Sequence, residues 1–113
     1  MEWIFIIVIV AFFVWKMMPS KGVKTITTTD LKNILSDQDK VFVDVRTPAE
    51  YKSRNIRQFK NIPLGSSFSK LPKDKEIVVI CQSGMRSNNA CKQLKKLGFE
   101  HVTNVRGGMS AWN

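Results

Sequence analysis

The residues with the clearest chemical potential are Cys81-Gln82-Ser83-Gly84-Met85-Arg86-Ser87. They follow the run Ile77-Val78-Val79-Ile80, which is short, β-branched and flanked by charge, and so reads as a buried parallel strand. From Asn88 to Leu97 the pattern is helical, and Gly98 stops it. The spacing places a cysteine where a central strand ends and a helix begins, the edge of an open α/β sheet at which ligands bind. The free N–H groups and partial positive charge of a helix N-terminus lower a thiol pKa and attract anions. Arg86 adds a full charge, and Gly84 permits the sharp turn on which successive N–H groups converge. The chemistry expected is an activated thiolate in an anion-binding cradle. The competing reading is a cysteine buried for packing alone.

A second group of candidates lies at Asp44, Arg46 and Glu50. Val41 to Val45 reads as the next strand, apolar on both faces up to Asp44, whose carboxylate can accept hydrogen bonds from loop N–H groups. Thr47 is a helix cap, Pro48 suits the first helical position, and Glu50 and Tyr51 continue a short helix. Arg46 and Glu50, four apart, are spaced to pair across the loop. Asp44 and Arg46 fit two roles, a salt bridge that fixes loops or direct participation in the chemistry.

The elements that must position these residues alternate along the chain. Val23 to Ile26 reads as an edge strand, and Thr27 to Thr29 offer an N-cap to a helix over 30–35. Asn61 to Leu64 is a short strand with proline at its edge, Gly65 to Leu71 a turn or single helical turn, and Phe99 to Val105 a last strand. Gly107-Gly108 lets backbone approach closely before Trp112, which reads as a packing plug. Alternating strands and helices imply a parallel sheet with helices on both faces. Cys91 falls on the helix after the loop, a packing position more than a resolving thiol, and helix between it and Cys81 makes a disulfide hard to close. His101 is the single histidine, so no zinc-type cluster exists and no metal is expected.

The chain has 113 residues, 18 Lys and Arg against 9 Asp and Glu, and a net charge of +9. The positive charges are scattered, with few aromatics between them, so nucleic acid is not an expected partner. An anionic membrane surface fits better. Trp3 to Trp15 carries no charged side chain, and residues 1–18 would make a helix about 27 Å long. With Lys16 snorkelling, that reads as a single transmembrane anchor. Lys16, Lys21 and Lys24 follow it and Glu2 precedes it, which by the positive-inside rule puts the C-terminal domain in the cytoplasm. Residues 19–23 read as a linker and 24–113 as the domain. The oligomeric state is left open.

Three stretches resemble the single-domain rhodanese sulfurtransferases: Asp44-Val45-Arg46-Thr47-Pro48-Ala49-Glu50-Tyr51, the loop from Cys81 to Ser87, and Gly107-Gly108-Met109-Ser110-Ala111-Trp112. The resemblance covers about residues 24–113. It implies a rhodanese-like α/β domain with a central five-stranded parallel sheet, and a Cys81 that carries sulfane sulfur as a persulfide. By the same resemblance the donor is thiosulfate or a related small sulfur-containing anion, the acceptor a thiol or cyanide, and no cofactor is required. Arg86 would hold the donor and lower the thiol pKa, while Gln82, Ser83, Gly84 and Met85 contribute mainly backbone. Related phosphatases and arsenate reductases use a seven-residue loop; Cys81 to Arg86 spans six, as in sulfurtransferases. Those enzymes, and a non-catalytic membrane-tethered interaction module, are the alternatives. One departure stands out. Many family members carry Gly-His-Ile-x-Gly-Ala-x-Asn-Ile-Pro, which here reads Arg54-Asn55-Ile56-Arg57-Gln58-Phe59-Lys60-Asn61-Ile62-Pro63, so the histidine and both glycines are replaced. The added Arg and Lys are suited to anionic donors or lipid headgroups.

Overall fold

The computed structural model of the chain describes residues 2–17 and 22–112. Ten elements follow in order: α1 (Glu2–Met17), β1 (Val23–Ile26), α2 (Thr28–Ile34), β2 (Lys40–Asp44), α3 (Pro48–Ser53), β3 (Lys60–Asn61), β4 (Glu76–Ile80), α4 (Met85–Lys96), β5 (Val102–Val105) and α5 (Gly108–Ala111). The five strands form one sheet in the order β1-β5-β4-β2-β3, with every pairing parallel. The most apolar strand, β4, is at its centre.

Alternation along β4 sorts the core into two layers. Ile77, Val79 and Cys81 face one side, where they join Ala90, Cys91 and Leu94 of α4 together with Phe68, Phe99 and Val102. Val78 and Ile80 face the other, against Leu31 of α2, Ile56 and Phe59 of the segment after α3, and Met109 of α5. Cys81 therefore continues the face of β4 that packs on α4.

Two helices begin with reciprocal caps. The Thr27 hydroxyl accepts from Asp30 N–H and the Asp30 carboxylate accepts from Thr27 N–H; Thr47 and Glu50 repeat the arrangement at α3. Helix α4 begins at Met85, three residues earlier than the apolar pattern indicated, so Arg86 and Ser87 lie in its first turn and not in a loop. The last strand is shorter than the expected Phe99 to Val105, because Leu94 and Lys95 carbonyls accept from Phe99 and Gly98 and close the end of α4 first. Lys60 and Asn61 make the short β3; Ile62 and Leu64 still donate to Asp44 and Val45, which keeps the chain alongside β2 beyond Pro63.

The N-terminal segment differs from the expected transmembrane span. Helix α1 has 16 residues, about 24 Å at 1.5 Å per residue. Among the described residues no helix is long and apolar enough to cross a membrane. Met1 and residues 18–21 lie outside the described residues, as does most of the expected linker; Val23, expected in the linker, is already in β1.

Candidate active site

Cys81 immediately follows β4, and its buried side chain lies under the turn that starts α4. Gly84 adopts φ 100° as the N-cap of α4, and its N–H donates to Cys81 Sγ at 3.0 Å. Only glycine holds that conformation without strain. A Cβ there would also sit 3.3 Å from the Gly107 nitrogen. Burial works against ionisation of the thiol. The Ser87 hydroxyl and the N–H groups of Ser87, Gly84 and Ser83 outweigh it and hold the thiol below its ordinary 9.0. The first turn of α4 and the loop before it thus act together as a nest of donors around one sulfur. Gln82 and Ser83 are exposed at the rim, and the Met85 side chain is 80% exposed beside it.

The charged residues pair differently from the Arg46–Glu50 bridge that their spacing indicated. Arg46, 2% exposed, turns back on Asp44: its Nε lies 3.0 Å from both carboxylate oxygens and Nη2 lies 2.8 Å from Oδ2. The Arg46 backbone N–H also donates to Asp44 Oδ1, and its guanidinium donates onward to the carbonyls of Glu50 and Arg54. No side-chain polar atom buried among the described residues lacks a partner, so this ion pair meets the condition for a tolerable buried charge. Asp44 and Arg46 are a strut between β2 and α3, and neither presents a free group to the cysteine.

Glu50 instead reaches Arg86, with Nη1–Oε1 at 2.8 Å and Nη2–Oε2 at 2.9 Å. The resemblance gives Arg86 the role of holding the donor; in this structure both its terminal nitrogens bind the Glu50 carboxylate in the bidentate geometry that Arg favours. The Arg86 pKa is raised, by the Glu50 hydrogen bonds first and then by the charges of Glu50, Cys81 and Asp44. The hydrogen bonds from Arg86, with those from Thr47, hold the Glu50 carboxyl at about 2.

Three further contributors carry weaker signals in the sequence. Asn104, buried in β5, accepts from the Ser87 hydroxyl and donates to the Gly84 carbonyl. The available signal was a polar pair, Thr103-Asn104, inside a strand bounded by valines. Helix α5 floors the loop: Met109 N–H donates to Cys81 O at 2.8 Å and Ser110 N–H to Gln82 O at 2.9 Å. A Cβ on Gly108 would lie 2.1 Å from Cys81 O, so the double glycine exists for close approach. Arg54 donates to the carbonyls of Met109 and Trp112 and pins α5 from the other side.

That contact also accounts for much of the altered 54–60 stretch. Arg54 is committed to α5, Asn55 donates to Tyr51 O, and Phe59 is a core residue with its ring centroid 5.2 Å from that of Phe42. Arg57 and Lys60 remain exposed. Cys91 is fully buried on the α4 face of the core and its thiol is pushed up to about 12, by burial first and then by the Cys81 charge. His101 is exposed just before β5.

Known proteins resemble this chain in sequence and fold. The rhodanese-like domain family model matches residues 27–113. A Bacillus subtilis protein named "Putative sulfurtransferase YtwF" is 46% identical over 94 residues, which cover 80% of this chain and 90% of that protein. A protein of Allochromatium vinosum named "Sulfurtransferase" is 38% identical, over 80% of this chain and 88% of its own. Among solved structures, a rhodanese-like domain protein from Staphylococcus aureus superposes with a TM-score of 0.72 at 35% identity, covering 80% of this chain and 91% of that one. With the sheet order, the Cys81 cradle and the glycine floor already in place, the chain belongs to the rhodanese-like domain family.

Proposed function

We propose that this protein is a sulfurtransferase whose Cys81 carries a sulfane sulfur from thiosulfate or a related anionic donor to a thiol or cyanide. The observation that carries the reading is the convergence of donors on one sulfur. Gly84 N–H lies 3.0 Å from Cys81 Sγ, and the N–H groups of Ser83 and Ser87 and the Ser87 hydroxyl favour the thiolate. The thiolate attacks the outer sulfur of thiosulfate. A sulfur–sulfur bond forms at Cys81, and the bond to the sulfonate group breaks as sulfite leaves with its electron pair. The terminal sulfur then bears the negative charge, and the same donors are disposed to stabilise it. An acceptor thiolate attacks that sulfur and Cys81 leaves as thiolate, completing a ping-pong cycle. Arg86, held by Glu50, contributes its field and not a free fork. The names of the relatives and the six-residue spacing from Cys81 to Arg86 point the same way.

Mass spectrometry after thiosulfate treatment tests this reading. One added sulfur on Cys81, removable by cyanide and absent in Cys81→Ser, is the expected result. Sulfur transfer that survives in Cys81→Ser refutes it.

The proposal extends to α1 as a membrane attachment, with the catalytic domain on the cytoplasmic side. Trp3 to Val10 and Phe12 are exposed and apolar, whichever way they face around the helix, and basic residues follow in the sequence. At about 24 Å the helix is shorter than the ~30 Å hydrocarbon core, so crossing needs local thinning or the residues that adjoin it. Fractionation of the full chain against one lacking residues 1–21 decides the point. Full-length protein found only in the soluble fraction overturns the attachment.

A further inference from the structure

We propose that Asn104 is a positioning residue for the Cys81 sulfur, acting through Gly84 and Ser87, the two residues of the α4 start that it holds. The inference rests on the cysteine chemistry proposed above, but its geometry stands apart from any donor or acceptor.

Asn104 lies in β5, paired with Thr25 on one side and Val79 on the other. Its side chain shares a face with Val102 and points to α4, where an apolar residue would pack. Asparagine is a poor strand former, and its buried amide is costly unless both ends are bonded. Both are: Oδ1 accepts from the Ser87 hydroxyl, and Nδ2 donates to the Gly84 carbonyl at 3.3 Å. Each partner is one step from the sulfur. The Gly84 N–H donates to Cys81 Sγ, and Ser87 is among the groups that lower the thiol pKa. A strand residue that breaks the local pattern to hold two groups of the cradle is placed for function.

The Ser87 hydroxyl donates to Asn104 Oδ1, which fixes the Ser87 side chain in the first turn of α4. The Nδ2 bond to the Gly84 carbonyl fixes the turn from which Gly84 N–H reaches the sulfur. Neither bond uses the sulfur, so both are kept when Cys81 is a thiolate, and the donors of the loop stay aimed at it. A neutral amide does this without adding charge, whereas a carboxylate would lose the Nδ2 donor and repel the thiolate. The other charged or titratable groups around the sulfur are Arg86 and Cys91 on α4, Glu50 on α3, the Asp44–Arg46 pair after β2, and exposed Arg106 after β5. None of them touches the Asn104 amide among the described hydrogen bonds and ion pairs.

The test is the pH profile of Cys81 alkylation by iodoacetamide in the folded full chain, for the parent, Asn104→Ala, Asn104→Asp and Ser87→Ala. Thermal melts report folding in parallel. Loss of hydrogen-bond support to a charged sulfur is expected to lower alkylation at pH 7 about tenfold in Asn104→Ala. Asn104→Asp should move the midpoint further up than Asn104→Ala, an ordering that a packing role would not produce. Adding Asn104→Ala to Ser87→Ala should have a smaller effect than it has alone, because the two act in series. Should Asn104→Ala not fold, Asn104→Thr, which suits a strand but cannot span both partners, takes its place. Folded Ala or Thr and Asp variants with the parent midpoint overturn the proposal. Cys81 that takes no sulfur from any donor would refute the sulfurtransferase reading, and the alkylation profiles would still decide the role of Asn104.

Discussion

Replacing Glu50 by Gln removes a charge where α3 is tied to the first turn of α4. Glu50 receives two hydrogen bonds from Arg86 and one each from Thr47 N–H and Thr47 Oγ1, all within 3.1 Å. Its carboxyl is held at about 2 instead of 4.5, by the Arg86 hydrogen bonds first. In a fully buried site such a depression would correspond to about 3 kcal/mol. The two side chains here are 33% and 37% exposed, and solvent screening reduces the net contribution to about 1 kcal/mol. Because the folded pKa lies below the unfolded one, this stabilisation is present above about 4.5 and is lost as pH falls through about 2. Urea unfolding across pH 2 to 7 provides the assay. Glu50→Gln should be about 1 kcal/mol less stable at pH 7, and the two curves should converge as the parent is titrated below 4.5. A difference that stays constant across that range would refute the argument, since it would mean that Gln disturbs packing or the cap and that the ion pair contributes nothing.

Two further substitutions probe the supports of the site. Gly108→Ala should abolish persulfide loading and cost several kcal/mol in urea unfolding, because the new methyl meets the Cys81 carbonyl; a loaded variant of parental stability would contradict the floor assigned to α5. Arg46→Lys keeps the charge but loses the fork that binds Asp44 and the carbonyls of Glu50 and Arg54. It should destabilise the fold by about 2–4 kcal/mol, with the alkylation midpoint of Cys81 little changed, since Arg46 has no contact with the sulfur; a large shift of that midpoint would return Arg46 to the chemistry.

How much was legible in the sequence follows the range of the interactions involved. The strand at 77–80, the caps at Thr27 and Thr47 and the glycine-marked turn at Gly84 depend on residues within a few positions of one another, and they can be read from the chain. Cys81 could be recognised for the same reason, because a strand end, a glycine and a helix start adjoin it. Helix α4 begins three residues before its apolar periodicity does, since Met85-Arg86-Ser87 lacks that pattern and the helix there is held by loop hydrogen bonds instead.

The sequence by itself determined the parallel α/β architecture, the cysteine at the strand end and the set of charged residues near it, because periodicity, capping and motif spacing are local quantities. Only the tertiary structure decided which charges meet. Arg46 and Glu50 are near neighbours in the chain, yet Arg46 folds back on Asp44 at the end of β2. Glu50 crosses to Arg86, 36 residues away. Asn104 had no visible role until β5 came to lie beside β4 and its amide met the first turn of α4. Partner choice among buried polar groups is set by where the strands bring them, since each must find a bond once it leaves water.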